Sequence, residues 1–240
     1  MDNVVYMGEN FISGASDTFG ANLHRHPMLE VYAACDGDSG VLANGEMMRG
    51  NVVFIGANVP HTIADRGKRG LAIFLDPLRS TGYSLQQKYL NVSRCAVLDH
   101  PSITALLSVI EGDIREVDVG RASEAVLEEF ELEPVEQAFS EPVAEVIEML
   151  QQDGASFDME ELASKACLSK SRLAHLFSEQ TGITLKEYIQ LKRMENACRS
   201  MVAGKSITQA AVDTGFSSSS HIASSSMKLT GLQLRRLLNL

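Results

Sequence analysis

The chain lacks the features that would place it in a membrane or in the secretory pathway. No run within its 240 residues approaches the ~18 consecutive apolar residues that a transmembrane helix requires. The N-terminus, Met-Asp-Asn-Val-Val-Tyr, has no basic region followed by an apolar run, so it does not resemble a secretory signal. We therefore predict a cytoplasmic protein that does not contact membranes.

Cysteine is also scarce. The four cysteines, Cys35, Cys95, Cys167 and Cys198, show no C-x-x-C spacing. This pattern argues against a disulfide framework and against a cysteine zinc site. We predict four buried thiols in a reducing compartment.

The chain has fewer basic than acidic side chains, and the two kinds are unevenly distributed along it. Residues 1–162 carry 27 acidic and 10 basic side chains, a balance of −17, whereas residues 163–240 carry 4 acidic and 11 basic ones, a balance of +7. A basic segment attached to an acidic one is typical of a protein in which only one part contacts nucleic-acid phosphates. The alternative for the acidic part is a solvated surface with no partner.

Two helix-turn-helix signals lie in the basic segment. They span Leu162–Phe177 and Ile207–Ile222, about 45 residues apart. Between them, residues 184–202 are predicted to form one helix of ~28 Å. That length is close to the ~34 Å between successive major-groove segments on one side of a duplex. The spacing therefore predicts a rigid rod that holds two recognition helices against DNA.

The first eighty residues have a different pattern, with short apolar runs that are broken by turns. The runs 29–35, 41–43, 46–49, 51–55, 61–64 and 71–75 read as strands, and Asn44-Gly45 is a strong hairpin signal. We predict a multidomain α and β protein with three parts. These are a small jelly-roll-like β-barrel (1–80), a helical linker (81–138) and an all-α tandem helix-turn-helix domain (139–240).

Helical patterns account for most of the chain after the barrel. Within the last domain, helices are predicted at 142–152, 158–166, 169–180, 184–202, 206–213, 218–229 and 232–238. The linker helices carry an apolar stripe, which favours a homodimer surface. Their many acidic side chains leave a merely solvated face as the alternative.

The quoted helix-turn-helix strings resemble the AraC/XylS family of bacterial transcription regulators. The resemblance covers about residues 142–240, and its most specific parts are residues 168–182, Tyr188 with Arg193, and residues 207–217. It implies a ligand-responsive regulator that binds double-stranded DNA and a small effector, forms a homodimer and contacts RNA polymerase. It places the following residues on the exposed faces of the two recognition helices: Ser171, Arg172, His175, Ser219, Ser220, His221 and Ser224.

The second unit departs from the family pattern. Ser226 stands where the family has a bulky aromatic residue, and Ser224 stands where a basic residue is common. These departures leave open a protein-binding module whose second unit no longer binds DNA.

A histidine motif stands at the start of the predicted barrel. The string His24-x-His26-x-x-x-Glu30, with Gly37 further on and the later pair Gly50 and His61, resembles the two cupin motifs. His24, His26 and Glu30 share a parity, so strand alternation points them to one face. The resemblance implies a cupin-like sensor domain in which these three residues and His61 hold one divalent first-row metal ion. The alternative is a histidine set that binds no metal.

The predicted barrel mouth is the expected site for a small effector. The residues proposed to line it are Met28, Tyr32, Met47 and Phe54. The leading hypothesis is a non-enzymatic, ligand-responsive regulator. The alternative is a metal-dependent cupin enzyme of the dioxygenase or isomerase type, with the histidine motif as its active site.

Overall fold

The computed structural model describes residues 3–17, 22–64, 67–110, 112–152, 158–230 and 234. The chain divides into two compact units. The first comprises residues 1–135 and 227–240, and the second comprises residues 136–226.

The first unit is built on two antiparallel sheets. Its strands are β1 (Asn3–Met7), β2 (Phe11–Ser16), β3 (Leu29–Ala34), β4 (Ser39–Ala43), β5 (Glu46–Gly50), β6 (Val52–Ile55), β7 (His61–Ile63), β8 (Gly70–Leu75) and β9 (Cys95–Leu98). The six-stranded sheet has the order β1-β2-β8-β3-β6-β9, and the three-stranded sheet has the order β5-β4-β7. The two sheets form a jelly-roll-like sandwich and do not close into a barrel.

Strand alternation gives the large sheet two different faces. On β3, Tyr32 faces a core shared with Val41 of β4 and Ile63 of β7, so this core lies between the two sheets. The neighbouring residue Val31 faces the opposite core, which helices cover. The unit therefore has three layers, with the large sheet in the middle.

Three helices cover the outer face of the large sheet. They are α1 (Ser80–Tyr89), α2 (Pro101–Leu107) and α3 (Val119–Glu128). Each helix contributes buried side chains to the shared core, which include Leu85 of α1, Ile103 of α2 and Val126 of α3. The segment predicted as a helical linker thus also contributes β9, which pairs with β6.

The Asn44-Gly45 hairpin is confirmed. Asn44 has φ 51° and Gly45 has φ 83°, and the flanking strands β4 and β5 pair with Ala43 opposite Glu46. Two successive positive φ values are the requirement of a type I′ turn, whose twist matches that of the strands. This turn sets the register of the small sheet.

The second unit is helical. Its helices are α4 (Glu141–Gln151), α5 (Met159–Lys165), α6 (Lys170–Thr181), α7 (Leu185–Val202), α8 (Ile207–Asp213) and α9 (Ser219–Thr230), the last of which runs on past residue 226. The predicted helices from 142 to 229 agree with these elements. The helix predicted at 232–238 lies outside the described residues, except for Leu234.

Local sequence explains where the central helices begin and end. Ser169 caps α6 by accepting a hydrogen bond from the Arg172 N–H, and Gly182 ends α6 at φ 71°. Thr184 and Glu187 then form a reciprocal capping box at the start of α7. Together they satisfy backbone groups that a helix end leaves without intrahelical partners.

Replacing Thr184 with alanine is expected to lower the free energy of unfolding by ~1 kcal/mol, because the first turn of α7 then loses a side-chain acceptor. Chemical denaturation of the full chain, followed by far-UV circular dichroism, measures the change. Thr184→Ser keeps the hydroxyl and should stay near the wild-type value. Equal stability of the alanine and serine variants would contradict the capping role.

The four thiols are free, as expected, but they are not all buried. Cys35 and Cys198 are buried, Cys95 is half-buried and Cys167 is exposed in the turn between α5 and α6. Burial raises the pKa of the Cys198 thiol to about 12, and nearby Glu195 acts in the same direction. Among the residues that the structure describes, no helix has both the length and the apolar character of a bilayer span.

Candidate metal centre and candidate nucleic-acid interface

The four residues of the histidine motif meet in the first unit. His61 begins β7, Glu30 lies on β3, and His24 and His26 come just before β3. His24 and His61 are joined by two backbone hydrogen bonds, with N···O distances of 3.1 and 2.9 Å. One nitrogen or oxygen atom from each of the four residues lies within 4.8 Å of the corresponding atoms of the others. The structure therefore brings together all four residues of the predicted metal site.

The cluster is largely withdrawn from solvent. His26 and His61 are each 1% exposed and Glu30 is 4% exposed, whereas His24 is half-buried. The Glu30 Oε2 atom lies 2.9 Å from Nε2 of His61 and 3.2 Å from Nε2 of His26. A buried carboxylate thus faces imidazole nitrogens at close range.

Main-chain carbonyl oxygens determine which nitrogen of each ring carries the proton. All three Nδ1 atoms contact such an oxygen: His24 with Asn22 at 2.8 Å, His26 with Met28 at 3.1 Å, and His61 with Val59 at 2.8 Å. A carbonyl oxygen can only accept, so each Nδ1 must donate. In the neutral rings the Nε2 atoms then carry lone pairs, which is the arrangement of a metal-ligating histidine.

This arrangement requires a positive charge. Nε2 of His61 is buried and has no partner in hydrogen-bond geometry, although the Glu30 carboxylate lies beside it. A neutral Nε2 and a carboxylate oxygen are both acceptors, so they repel each other unless a proton or a metal ion lies between them. Either a proton on Nε2 of His61 or a bound metal ion satisfies this pair, so the donor atoms present are compatible with a metal ion.

The pKa shifts have the same origin. Burial would raise the pKa of Glu30, but the His61 charge and the hydrogen bond to His26 outweigh it and lower that pKa. Burial lowers the pKa of His61, but the Glu30 carboxylate has the larger combined effect, so the pKa is raised overall. Burial and then repulsion from His61 lower the pKa of His24 to about 4. His24 is therefore neutral near pH 7 and has a lone pair available for coordination.

The donor set can hold a divalent first-row metal ion. Imidazole nitrogens suit Zn, Cu, Fe and Ni, and a carboxylate adds one negative charge to the site. Phe74, which the sequence analysis did not single out, packs edge-on against His26 with ring centroids 5.5 Å apart. An apolar wall of this kind limits water access and restrains the ring.

The four residues predicted to line an effector pocket do not come together. Met28 is next to the cluster and Tyr32 is buried between the sheets. Phe54 instead packs against Tyr89 under the helices, with centroids 4.5 Å apart, and Met47 is 54% exposed on β5. The register explains the difference, because Val53, not Phe54, is opposite Tyr32. Adjacent strand residues point to opposite faces.

A cleft that the sequence analysis did not foresee lies in the helical layer of the same unit. It has a volume of about 620 Å³, and its apolar lining residues include Leu106, Val117 and Ala122. Asp118 and Arg121 also line it. No motif marks these residues, because they are drawn together from α2, α3 and the turns between them.

In the second unit, α5 and α6 form the first helix-turn-helix. Ser171, Arg172 and His175 are exposed on α6, and the opposite face buries Leu173 and Phe177. Leu176, also predicted to be core, is half-buried. Because the buried residues lie on one side of the helix, the opposite, polar face of α6 is open to solvent.

The second helix-turn-helix consists of α8 and α9. All four residues predicted to face DNA on α9 are exposed: Ser219, Ser220, His221 and Ser224. Ile222 and Ser226 on the opposite side are fully buried. Ser226 therefore occupies a core position, where the resembled family has an aromatic residue.

The helix α7 connects the two motifs. Its 18 residues correspond to ~27 Å. Tyr188 packs against Phe177 of α6, with ring centroids 5.7 Å apart, and Gln190 donates to the Ser225 hydroxyl of α9 at 3.0 Å. Both recognition helices are thus held by the same rod.

Comparisons with known proteins identify this part of the chain. A protein-family model described as a helix-turn-helix domain matches residues 162–239. No curated protein matches the chain in sequence.

Solved structures of ToxT from Vibrio cholerae are similar in fold over nearly the whole chain. ToxT from strain O395 is 14% identical, with 97% of this chain and 98% of that one covered at a TM-score of 0.56. An apo form of a ToxT point variant from strain SCE256 is 12% identical, with 96% and 97% covered at 0.58. Wild-type ToxT described as bound to an unsaturated fatty acid is 14% identical, with 98% and 94% covered at 0.56. The chain therefore shares the fold of ToxT over nearly its whole length, and its residues 162–239 match a helix-turn-helix domain.

Proposed function

We propose that this protein is a ligand-responsive, sequence-specific DNA-binding transcription regulator. The observation that carries the proposal is the pair of exposed polar recognition-helix faces on α6 and α9, both attached to α7 within a matched helix-turn-helix domain. A recognition helix of this motif enters the major groove, and two on one rod can read adjacent segments of a duplex.

Selection of bound duplexes from a random pool tests the proposal. A regulator of this kind should enrich a motif with two half-elements about one helical turn apart. Its affinity for the selected duplex should fall steeply as salt rises, because Lys and Arg release counterions from phosphates. If well-folded protein selects no motif, with or without Zn²⁺ or a fatty acid, sequence-specific binding is refuted.

Replacing Arg172 with alanine is expected to weaken binding to the selected duplex by ~1–3 kcal/mol, because its guanidinium can donate two hydrogen bonds to guanine. Fluorescence anisotropy with a labelled duplex measures this change. Arg172→Lys keeps the charge but loses the planar fork, so it should retain affinity for random DNA and lose preference at one base. Unchanged specificity in both variants would show that α6 does not read bases through Arg172.

The first unit supplies the proposed sensor. One solved structure of this fold is described as bound to an unsaturated fatty acid, which supports binding of a small molecule by such a protein. We propose that the histidine cluster holds a divalent metal ion and that Met28 and Tyr32 belong to the adjoining effector site. A ligand changes DNA affinity only if it binds one conformation more tightly than another. Effector and metal binding should therefore alter the affinity for the selected duplex.

The same cluster favours a second candidate, a metal-dependent enzyme. Three histidines and a carboxylate can leave a metal coordination position open to a substrate. His24, the half-buried member of the cluster, faces the accessible side of the site in this alternative. The duplex selection separates the two candidates, since an enzyme of this kind has no reason to enrich one DNA sequence.

A further inference from the structure

The ring of His221 at the start of α9 is held in place although it is exposed. Its Nδ1 atom lies 3.0 Å from the Ser217 hydroxyl, and the Ser217 backbone N–H donates to the same nitrogen at 3.4 Å. Phe216, which is buried, contacts the ring edge-on with centroids 5.2 Å apart. Together these contacts restrict rotation of the His221 ring.

The contacts of Nδ1 determine the hydrogen-bonding character of the other ring nitrogen. A backbone N–H can only donate, so Nδ1 of His221 must accept. In the neutral ring the proton is then on Nε2, on the side away from Ser217. His221 therefore presents a fixed N–H donor at the exposed N-terminal end of the recognition helix.

The other exposed side chains of this helix have a different character. The Ser224 hydroxyl donates to the His221 carbonyl oxygen at 2.9 Å, which leaves its lone pairs free to accept. A serine hydroxyl such as that of Ser219 or Ser220 can otherwise donate or accept, so it discriminates weakly between bases. On α6, no hydrogen bond to the His175 ring is found within the described part of the chain, so its tautomer is not fixed in this way.

We propose that His221 reads a guanine in the major groove through its Nε2–H, and that Ser217 is the positioning residue that makes this reading directional. The proposal rests on the DNA-binding function proposed above. Guanine presents two adjacent acceptors, N7 and O6, in the major groove. Adenine pairs its N7 acceptor with an N–H donor, thymine has one acceptor beside a methyl group, and cytosine presents an N–H donor that would repel the Nε2–H. A fixed donor on an otherwise serine-rich helix thus supplies base preference to the second half-element.

The test uses the full-length protein and the duplex that it selects. The guanine of the second half-element is replaced by 7-deazaguanine, which lacks the N7 acceptor. Wild-type affinity should fall roughly 3- to 10-fold, the range for one hydrogen bond. His221→Ala should bind both duplexes equally. Ser217→Ala keeps the backbone N–H but loses the closer hydroxyl contact that holds the ring, so it should lose part of the discrimination. Ser217→Thr keeps the hydroxyl and the N–H, so it should discriminate like the wild type.

The internal control is a 7-deazaguanine in the first half-element, at the position where Arg172→Lys loses its base preference. All variants with an intact Arg172 should remain sensitive to it, which shows that they fold and bind. The inference is overturned if the second half-element contains no guanine, or if Ser217→Ala discriminates as well as the wild type. If no half-elements are selected at all, the proposed function itself fails.

A second measurement needs no DNA. The ¹⁵N chemical shifts of the His221 imidazole should show a protonated Nε2 and an unprotonated, hydrogen-bonded Nδ1, and the Nδ1 signal should move in Ser217→Ala. The His175 ring provides the reference within the same sample. A protonated Nδ1 in neutral His221 would overturn the inference whatever the DNA result.

Discussion

Replacing His61 with alanine is expected to weaken binding of Zn²⁺ by more than about 100-fold, since loss of even an outer partner of a metal ligand costs about 10–100-fold in affinity. His61 is 1% exposed, and its Nε2 lies beside the Glu30 carboxylate. Alanine removes the imidazole but keeps the backbone hydrogen bonds between residues 61 and 24. The sheet should therefore survive while the donor set loses a member.

Calorimetric titration of the apo-protein with Zn²⁺ measures this effect, and metal analysis after dialysis gives the stoichiometry. Thermal unfolding provides an independent readout. Zn²⁺ at about 100 times its dissociation constant should stabilise the wild type by ~2.7 kcal/mol and should not stabilise His61→Ala.

His100→Ala is the matched control, because His100 lies outside the cluster beside Glu129 at 3.7 Å. This variant should bind Zn²⁺ like the wild type. If the wild type itself fails to bind Zn²⁺, Ni²⁺, Mn²⁺ or Fe²⁺, the cluster is a proton-linked hydrogen-bond network. The metal-dependent form of the sensor is then excluded.

Replacing Phe177 with alanine is expected to lower the free energy of unfolding by ~3–5 kcal/mol, the usual cost of truncating a buried aromatic residue. Phe177 is fully buried and contacts Tyr188 of α7. Its ring therefore fixes the angle at which α6 lies on the rod. The variant should lose DNA affinity even though no DNA-facing residue has changed.

Urea denaturation of the full chain, followed by the helical signal in far-UV circular dichroism, measures this loss. Leu176→Ala is the matched control, because Leu176 is the neighbouring residue on the same helix but is only half-buried. Its cost should be clearly smaller, since the hydrophobic contribution scales with the apolar area buried. Equal costs for the two variants would mean that α6 does not pack through its Phe177 face.

Several elements could be predicted because the information for them is local. Ser169, Gly182 and Thr184 mark the ends of α6 and the start of α7, and each acts on backbone groups within a few residues. The Asn44-Gly45 turn is equally local, because its two positive φ values depend on those residues alone.

Other strands and helices were not predicted, because contacts with residues far away in the sequence stabilise them. The strand β2 contains Ser13, Gly14 and Ser16, a composition that does not favour a strand, and it is held by pairing with β8 some sixty residues later. Among the strands that the structure describes, β9 is paired only with β6. The helix α1 has no side-chain cap and contributes Leu85 to the core, so packing against the sheet sustains it.

The site residues show the same division. The resemblance to the cupin motifs was enough to select the four members of the histidine cluster, which the structure brings together. It could not decide that Phe54 and Tyr32 lie on opposite faces of the large sheet, since this depends on the register between β3 and β6. Each Nδ1 contacts a carbonyl oxygen only two residues away. Only the folded chain brings Nε2 of His61 on β7 to the Glu30 carboxylate on β3, because these two strands are far apart in the sequence.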